Sequence, residues 1–228
     1  MNNLRLVLCL LLAGTSLGFG QAHSATYNIL FDGNSWVFGA ASTAGSNYPN
    51  QVESLLKKAG KTVTLLNTGI SGQTIDQMQA KAPQRVDSHH KEYQYLIGLE
   101  VVNQWGQTDQ SREVIYAKYQ KYFLDRKAAG FKNVIALTPI AQGYYPRKNW
   151  EEDRQWFIKK MLEEFPKQGI TVINVGGDPR LSDWKNTKYY AADRIHPNNG
   201  GYAAIAEIVA KSLLNPTKPR PIGVPVRD

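Results

Sequence analysis

Cysteine is almost absent from this 228-residue chain, the one thiol being Cys9. A disulfide framework is therefore excluded, and so is a thiol nucleophile once the N-terminal segment is removed. Histidine is scarce too, at four residues, which makes a metal centre unattractive. No apolar run is long. The longest without a charge is Leu6–Ala13, well short of the roughly 20 residues a membrane-spanning helix needs. Internal repeats are missing, and no low-complexity block precedes the C-terminal end.

What is present is ordinary globular material: 42% hydrophobic and 20% charged residues, enough apolar side chains for a core. The first 24 residues read as a secretory signal peptide. They hold one charge, Arg5, then the apolar run, then Ala22-His23-Ser24 as a small-x-small cleavage pattern before Ala25. Export, to the periplasm or the medium, follows from that reading. Residues 25–214 form the expected domain, and 215–228, with four prolines and two net positive charges, the expected tail. The net charge of +8 favours anionic surroundings but is weak evidence for a partner. No nucleic-acid-binding motif accompanies it, and no nucleic-acid partner is expected.

Apolar runs alternate with amphipathic segments. Strands are expected at Thr26–Phe31, Thr62–Leu66, Tyr93–Leu99, Asn133–Thr138 and Gly169–Val175. Helices are expected at Tyr48–Ala59, Thr74–Lys81 (with Pro83 after it), Ser111–Ala129, Trp150–Phe165 and Gly201–Leu214. The expected inward faces include Val52, Leu55, Leu56 and Ala59 in the first helix. In the fourth they include Phe157, Ile158, Met161, Leu162 and Phe165. Such alternation argues for an α/β domain with a five-stranded parallel sheet covered on both faces, a three-layer α/β/α sandwich. Ligands in such folds bind outside the carboxyl ends of the strands, so the loops after each strand carry the search.

The loop after the first strand contains Asp32-Gly33-Asn34-Ser35. A serine at a tight Gly turn exposes its hydroxyl and its own N–H together, as a nucleophile requires; taken alone, it is more often a cap or turn residue. The loop after the second strand, Asn67 to Thr74, has two glycines that allow close backbone approach to a ligand. The loop after the third offers Asn103, whose amide is a neutral donor. The last loop contains Asp193-Arg194-Ile195-His196. A carboxylate three residues before an imidazole can fold back onto Nδ1–H and leave Nε2 as a base toward a serine. Each signal alone is weak. Together, on one end of one sheet, they point to a serine hydrolase acting on esters.

With these blocks in view, the sequence resembles the SGNH/GDSL hydrolase family. Asn28 to Ser35 is similar to its first block, Asn67 to Thr74 to its second, Val101 to Gln104 to its third, and Asp193 to His196 to its Asp-x-x-His block. The likeness runs from Thr26 to about Leu214. It departs at Asn34, where Asp is usual, and at Val101 and Gln104, where the third block has Gly and Asp. The resemblance implies a flavodoxin-like fold and a triad of Ser35, His196 and Asp193. It also implies an oxyanion hole from the N–H groups of Ser35 and Gly72 and the Asn103 amide, with no metal or organic cofactor.

The site loops are rich in aromatics. Trp36, Trp105, Tyr144 and Trp184 are the candidates for substrate contact, with Tyr145, Tyr189 and Tyr190 beside them. Arg147, Lys148 and Arg180 could add a preference for anions. Export, charge and aromatics lean toward a small-molecule or carbohydrate ester, acyl or acetyl. The competing reading is a catalytically silent protein of the same fold that binds glycan.

Overall fold

The structure, a computed structural model, describes residues 25–144 and 148–216. The expected leader, the last twelve residues of the tail, Tyr145 and Arg147 lie outside the described residues.

Five strands form one parallel sheet: β1 (Thr26–Gly33), β2 (Thr62–Asn67), β3 (Tyr95–Leu99), β4 (Asn133–Leu137) and β5 (Thr171–Ile173), in the order β2-β1-β3-β4-β5. Ile29, Leu30 and Phe31 are consecutive and fully buried. That continuity is what an interior strand covered on both faces requires, and it replaces the alternation of a one-sided sheet. Seven helices accompany the strands among the described residues: α1 (Ser35–Phe38), α2 (Tyr48–Lys58), α3 (Ile75–Arg85), α4 (Val102–Gln107), α5 (Arg112–Ala129), α6 (Trp150–Glu164) and α7 (Asn199–Leu214). α2 packs on α7, while α5 packs on both α3 and α6. The three-layer α/β/α sandwich is thus observed.

Local chemistry explains the element ends. Ser111 caps α5 by accepting from Val114 N–H, and Gly130 closes it in the left-handed region. Thr74 and Gln77 form a reciprocal capping box at the start of α3. Gly98 on β3 makes room for the Phe123 ring of α5, since a Cβ there would lie 2.7 Å from it.

Several boundaries and faces differ from expectation. α3 runs on through Pro83 to Arg85, because the Val86 N–H still reaches the Ala82 carbonyl beyond the proline. β5 is only three residues, since Gly169 is left-handed and closes a short 3-10 turn before it. Leu162 on α6 is exposed, and so is Ala59 at the end of α2. α1 and α4 are too short to show a helical period.

Strand order reverses at β1: the chain steps one way to β2, then crosses back to β3 on the other side. The crevice at such a switch point opens at the carboxyl ends of the two strands. Here those ends are Gly33 and Leu99, which are paired in register.

Candidate active site

Gly33 ends β1 with φ +155°, and a Cβ there would lie 2.2 Å from the Leu99 carbonyl oxygen. Only glycine fits so close to β3. The next residue, Asn34, is the N-cap of α1, and its side-chain oxygen accepts from Trp36 N–H at 2.8 Å. The turn leaves Ser35 as the first helical residue, 3% exposed, at the mouth of the crevice.

His196 reaches Ser35 from the other end of the sequence. Its Nε2 lies 2.9 Å from Ser35 Oγ, and its Nδ1 lies 2.6 Å from Asp193 Oδ2. An ionised carboxylate only accepts, so Nδ1 carries the proton and the Nε2 lone pair faces the serine hydroxyl. The second oxygen of Asp193 accepts from the Ile195 and His196 N–H groups at 3.0 and 2.9 Å. Partial burial pushes the Asp193 carboxyl up, but the bonds from His196 and Ile195 outweigh it and hold the acid below its ordinary value. Between Asp193 and Ile195, Arg194 takes φ +65°. A left-handed non-glycine residue is uncommon and marks a turn held by its surroundings.

One bond ties this loop to α1, and a second ties α7, which follows the loop, to the turn after α1. Trp36 Nε1–H donates to the Ile195 carbonyl at 2.8 Å, and Tyr202 Oη–H on α7 donates to the Ala40 carbonyl at 2.8 Å. Trp36 is fully buried, so it is not available to substrate. This corrects the expectation of a contact residue: its indole braces the His196 loop from inside. Trp105 is corrected likewise. It is 2% exposed and meets Trp150 and Phe157 edge to face at 4.9 and 5.1 Å, which makes it core. Tyr190 is buried as well, donating to the Leu181 carbonyl.

Tyr144 and Trp184 remain at the rim. Tyr144 is 63% exposed, and Trp184 is half-buried with its ring against Gly143. The Arg194 guanidinium stands 5.8 Å from the Trp184 ring centre, and Gly143 N–H donates to the Arg194 carbonyl at 2.7 Å. The rim loop after β4 is thereby joined to the His196 loop. Arg180 is engaged by Asp178 and Glu207, and that pairing neutralises the charge proposed for anions. Lys148 is exposed.

The loop after β2 is sewn to the end of β1. Ile70 N–H and Gln73 Nε2–H both donate to the Gly33 carbonyl, at 2.9 and 3.1 Å, and Asn67 Nδ2–H donates to the Val37 carbonyl. Gly72 sits at φ +76° with open space where a Cβ would point. Asn103 lies in the first turn of α4, buried, with Nδ2–H donating to the Gln73 carbonyl at 3.0 Å. Gln104, where the resemblance has Asp, bonds both the Asp76 N–H and its carboxylate. It fastens α4 to the start of α3.

Sequence reasoning missed Glu100. It is fully buried at the end of β3, yet accepts from Asn34 Nδ2–H at 3.1 Å, Asn103 N–H at 3.3 Å and Gln104 N–H at 2.8 Å. Burial pushes its carboxyl up to about 8, against the pull of those donors. The available signal was a charge inside the otherwise apolar run Leu96 to Val102. Asp32 is a second buried acid, also raised by desolvation, and accepts from Thr68 and Tyr122. Among the described residues, no group of three or more His, Cys, Asp or Glu side chains could hold a metal ion.

The profile of the GDSL-like Lipase/Acylhydrolase family matches residues 31–204. The chain belongs to the GDSL-like lipase/acylhydrolase family. It is therefore a carboxylic ester hydrolase of SGNH type. No curated protein matches the sequence of this GDSL-like hydrolase. Among solved structures it is similar to Axe2, an acetylxylan esterase from Geobacillus stearothermophilus, at 18% identity and a TM-score of 0.65, covering 83% of this chain and 95% of that one. It is also similar to LAE5, an alpha/beta hydrolase enzyme from the metagenome of Lake Arreo, Spain, at 23% identity and a TM-score of 0.65, covering 86% and 100%. These likenesses show a shared fold. No helix among the described residues is long and apolar enough to cross a membrane.

Proposed function

We propose that the GDSL-like hydrolase cleaves acetyl or short acyl esters, carried on carbohydrate, through Ser35, His196 and Asp193. The observation that carries the reading is the continuous line of hydrogen bonds from Asp193 Oδ2 through the imidazole to Ser35 Oγ. His196 takes the hydroxyl proton as Ser35 attacks the carbonyl carbon. The oxyanion forms against Ser35 N–H, Gly72 N–H and the Asn103 amide. His196 then protonates the departing alcohol, and water, activated by the same imidazole, releases the acid from the acyl-enzyme. Variants of Axe2 with a serine, an aspartate or a histidine replaced by alanine are described as catalytic mutants, the aspartate three residues before the histidine. Asp193 and His196 have the same spacing, which supports the assignment. Axe2 acts on acetylxylan, and the Tyr144 and Trp184 rim, suited to stacking on sugar rings, supports the carbohydrate part.

The test is hydrolysis of p-nitrophenyl acetate and of acetylated xylo-oligosaccharides by the purified chain beside Ser35→Ala. The expected loss is at least about 10⁴-fold, with thermal unfolding unchanged. Equal background rates in both proteins, with no fluorophosphonate label on Ser35, would leave the silent glycan-binding reading in its place. Export is part of the proposal; a secreted product beginning at Ala25 supports it, and a product that stays in the cytoplasm with its N-terminus intact overturns it.

A further inference from the structure

The first and third blocks of the sequence depart from the family pattern at separate places, yet the structure joins the departures at one carboxyl group. Asn34 stands where Asp is usual, and its amide donates to Glu100. Asn34 has two jobs. Its oxygen caps the helix that begins with Ser35, and its nitrogen needs an acceptor in the buried floor. Glu100 has two jobs as well. One oxygen accepts from Asn34 and Asn103, the other from Gln104.

We propose that Glu100 is a positioning residue that holds the nucleophile turn and the oxyanion-side turn in one register, and that Asn34 and Glu100 work as a matched pair. The inference rests on the esterase reading above, because it concerns how Ser35 and Asn103 are aimed. A buried carboxyl is costly unless its oxygens are occupied by donors, and every named partner of Glu100 is a donor. With an aspartate in place of Asn34 the pair would become two carboxyl groups about 3 Å apart holding the one proton that Glu100 already carries below about 8; that proton would have to lie between them, on the oxygen that now accepts from Asn103, or one of the two would turn away. Turning away would release either the cap of α1 or the first turn of α4. A displacement of about 1 Å at such a point can cost about 100-fold in rate. Of the ionisable groups on neighbouring elements, Tyr119 meets Glu100 at the backbone, its oxygen accepting from the Glu100 N–H. The Tyr119 hydroxyl on α5 donates to the Gly98 and Leu137 carbonyls, and Asp76 on α3, with its Lys118 partner, is reached through Gln104.

The pair can be inverted. In the double variant Asn34→Asp/Glu100→Gln, the new amide nitrogen can donate to the carboxylate introduced at the cap and its oxygen keeps the Gln104 N–H, while the long bond from the Asn103 N–H is given up, so recovery is expected to be partial. The experiment is steady-state kinetics on p-nitrophenyl acetate for the full chain, Asn34→Asp, Glu100→Gln and the double variant, with circular dichroism to verify folding. Asn34→Asp should lose about 100-fold in kcat with KM nearly unchanged, and Glu100→Gln about 10-fold. The double variant should recover at least about 10-fold over Asn34→Asp, where independent effects would lower it further. Recovery in kcat is a readout that a merely structural role would not give. Folded single variants with unchanged kcat, or losses that multiply in the double variant, overturn the pair. A wild-type chain that neither hydrolyses the esters nor takes a fluorophosphonate label overturns the esterase reading itself, and the positioning role with it.

Discussion

The floor and the wall of the site place carboxyl groups in opposite surroundings. Glu100, in the floor, is sealed between strand ends and raised to about 8 by desolvation. Asp193, in the wall, is exposed on one side and lowered by its bonds to the His196 loop, although partial burial works against them. The difference separates two tasks. A group that must stay ionised to hold an imidazole sits where water and N–H donors favour its charge. A group that must hold backbone in place sits where nothing can exchange with its partners. The floor is also tied at many points, to Asn34, Asn103, Gln104 and Gln73, whereas the rim beyond the wall rests on Trp184 and Arg194.

The comparison can be broken most sharply at the floor. Asn103→Ala removes one donor on the oxyanion side and should lower kcat on p-nitrophenyl acetate by about 100- to 1000-fold, with KM little changed; a loss under about threefold would remove Asn103 from the role. A smaller effect belongs to pH. The native Glu100 keeps its proton until about 8, while in the unfolded chain it is released from 4.5. Between these values the unfolded state binds fewer protons, so stability falls as pH rises, by up to a few kcal/mol. Urea unfolding of the wild type and of Glu100→Gln from pH 5 to 8 should show that slope in the wild type and its loss in the variant. Asp193 contributes with the opposite sign. Its lowered acid stabilises the fold above 3.8, and that contribution fades as pH drops below that value. The smallest change is expected at the rim. Trp184→Ala should raise KM a few-fold for acetylated xylo-oligosaccharides, about 1 kcal/mol of stacking, and leave p-nitrophenyl acetate unaffected. Equal effects on both substrates would move Trp184 from the rim to the framework.

Much of this organisation was legible in the residues. Buried strands announced themselves as short apolar runs, and Asp193-Arg194-Ile195-His196 is local enough for its turn to be foreseen. Gly33 and Ser35 were legible because a tight turn after a strand leaves few residue choices. The burial of Trp36 and Trp105 was not. An indole in a site loop has the same composition signal whether it faces solvent or a neighbouring helix, and only the packing of α6 and the His196 loop decides. α1 and α4 were missed because four and six residues do not complete enough turns to show a period. Glu100 was passed over because its donors come from a residue far away in sequence or from backbone, neither of which a motif displays.

Ser35 and His196 are 161 positions apart, and the helix that follows His196 packs against α2 near the start of the chain. On the proposed triad, a growing polypeptide therefore carries its serine long before its imidazole exists. At about 5–20 residues per second, the interval is roughly 8–30 s. On that reading the serine is only an alcohol during the interval, and any product truncated before His196 stays so. Reactivity would then wait for the His196 loop and for the α7 helix that packs behind it on α2.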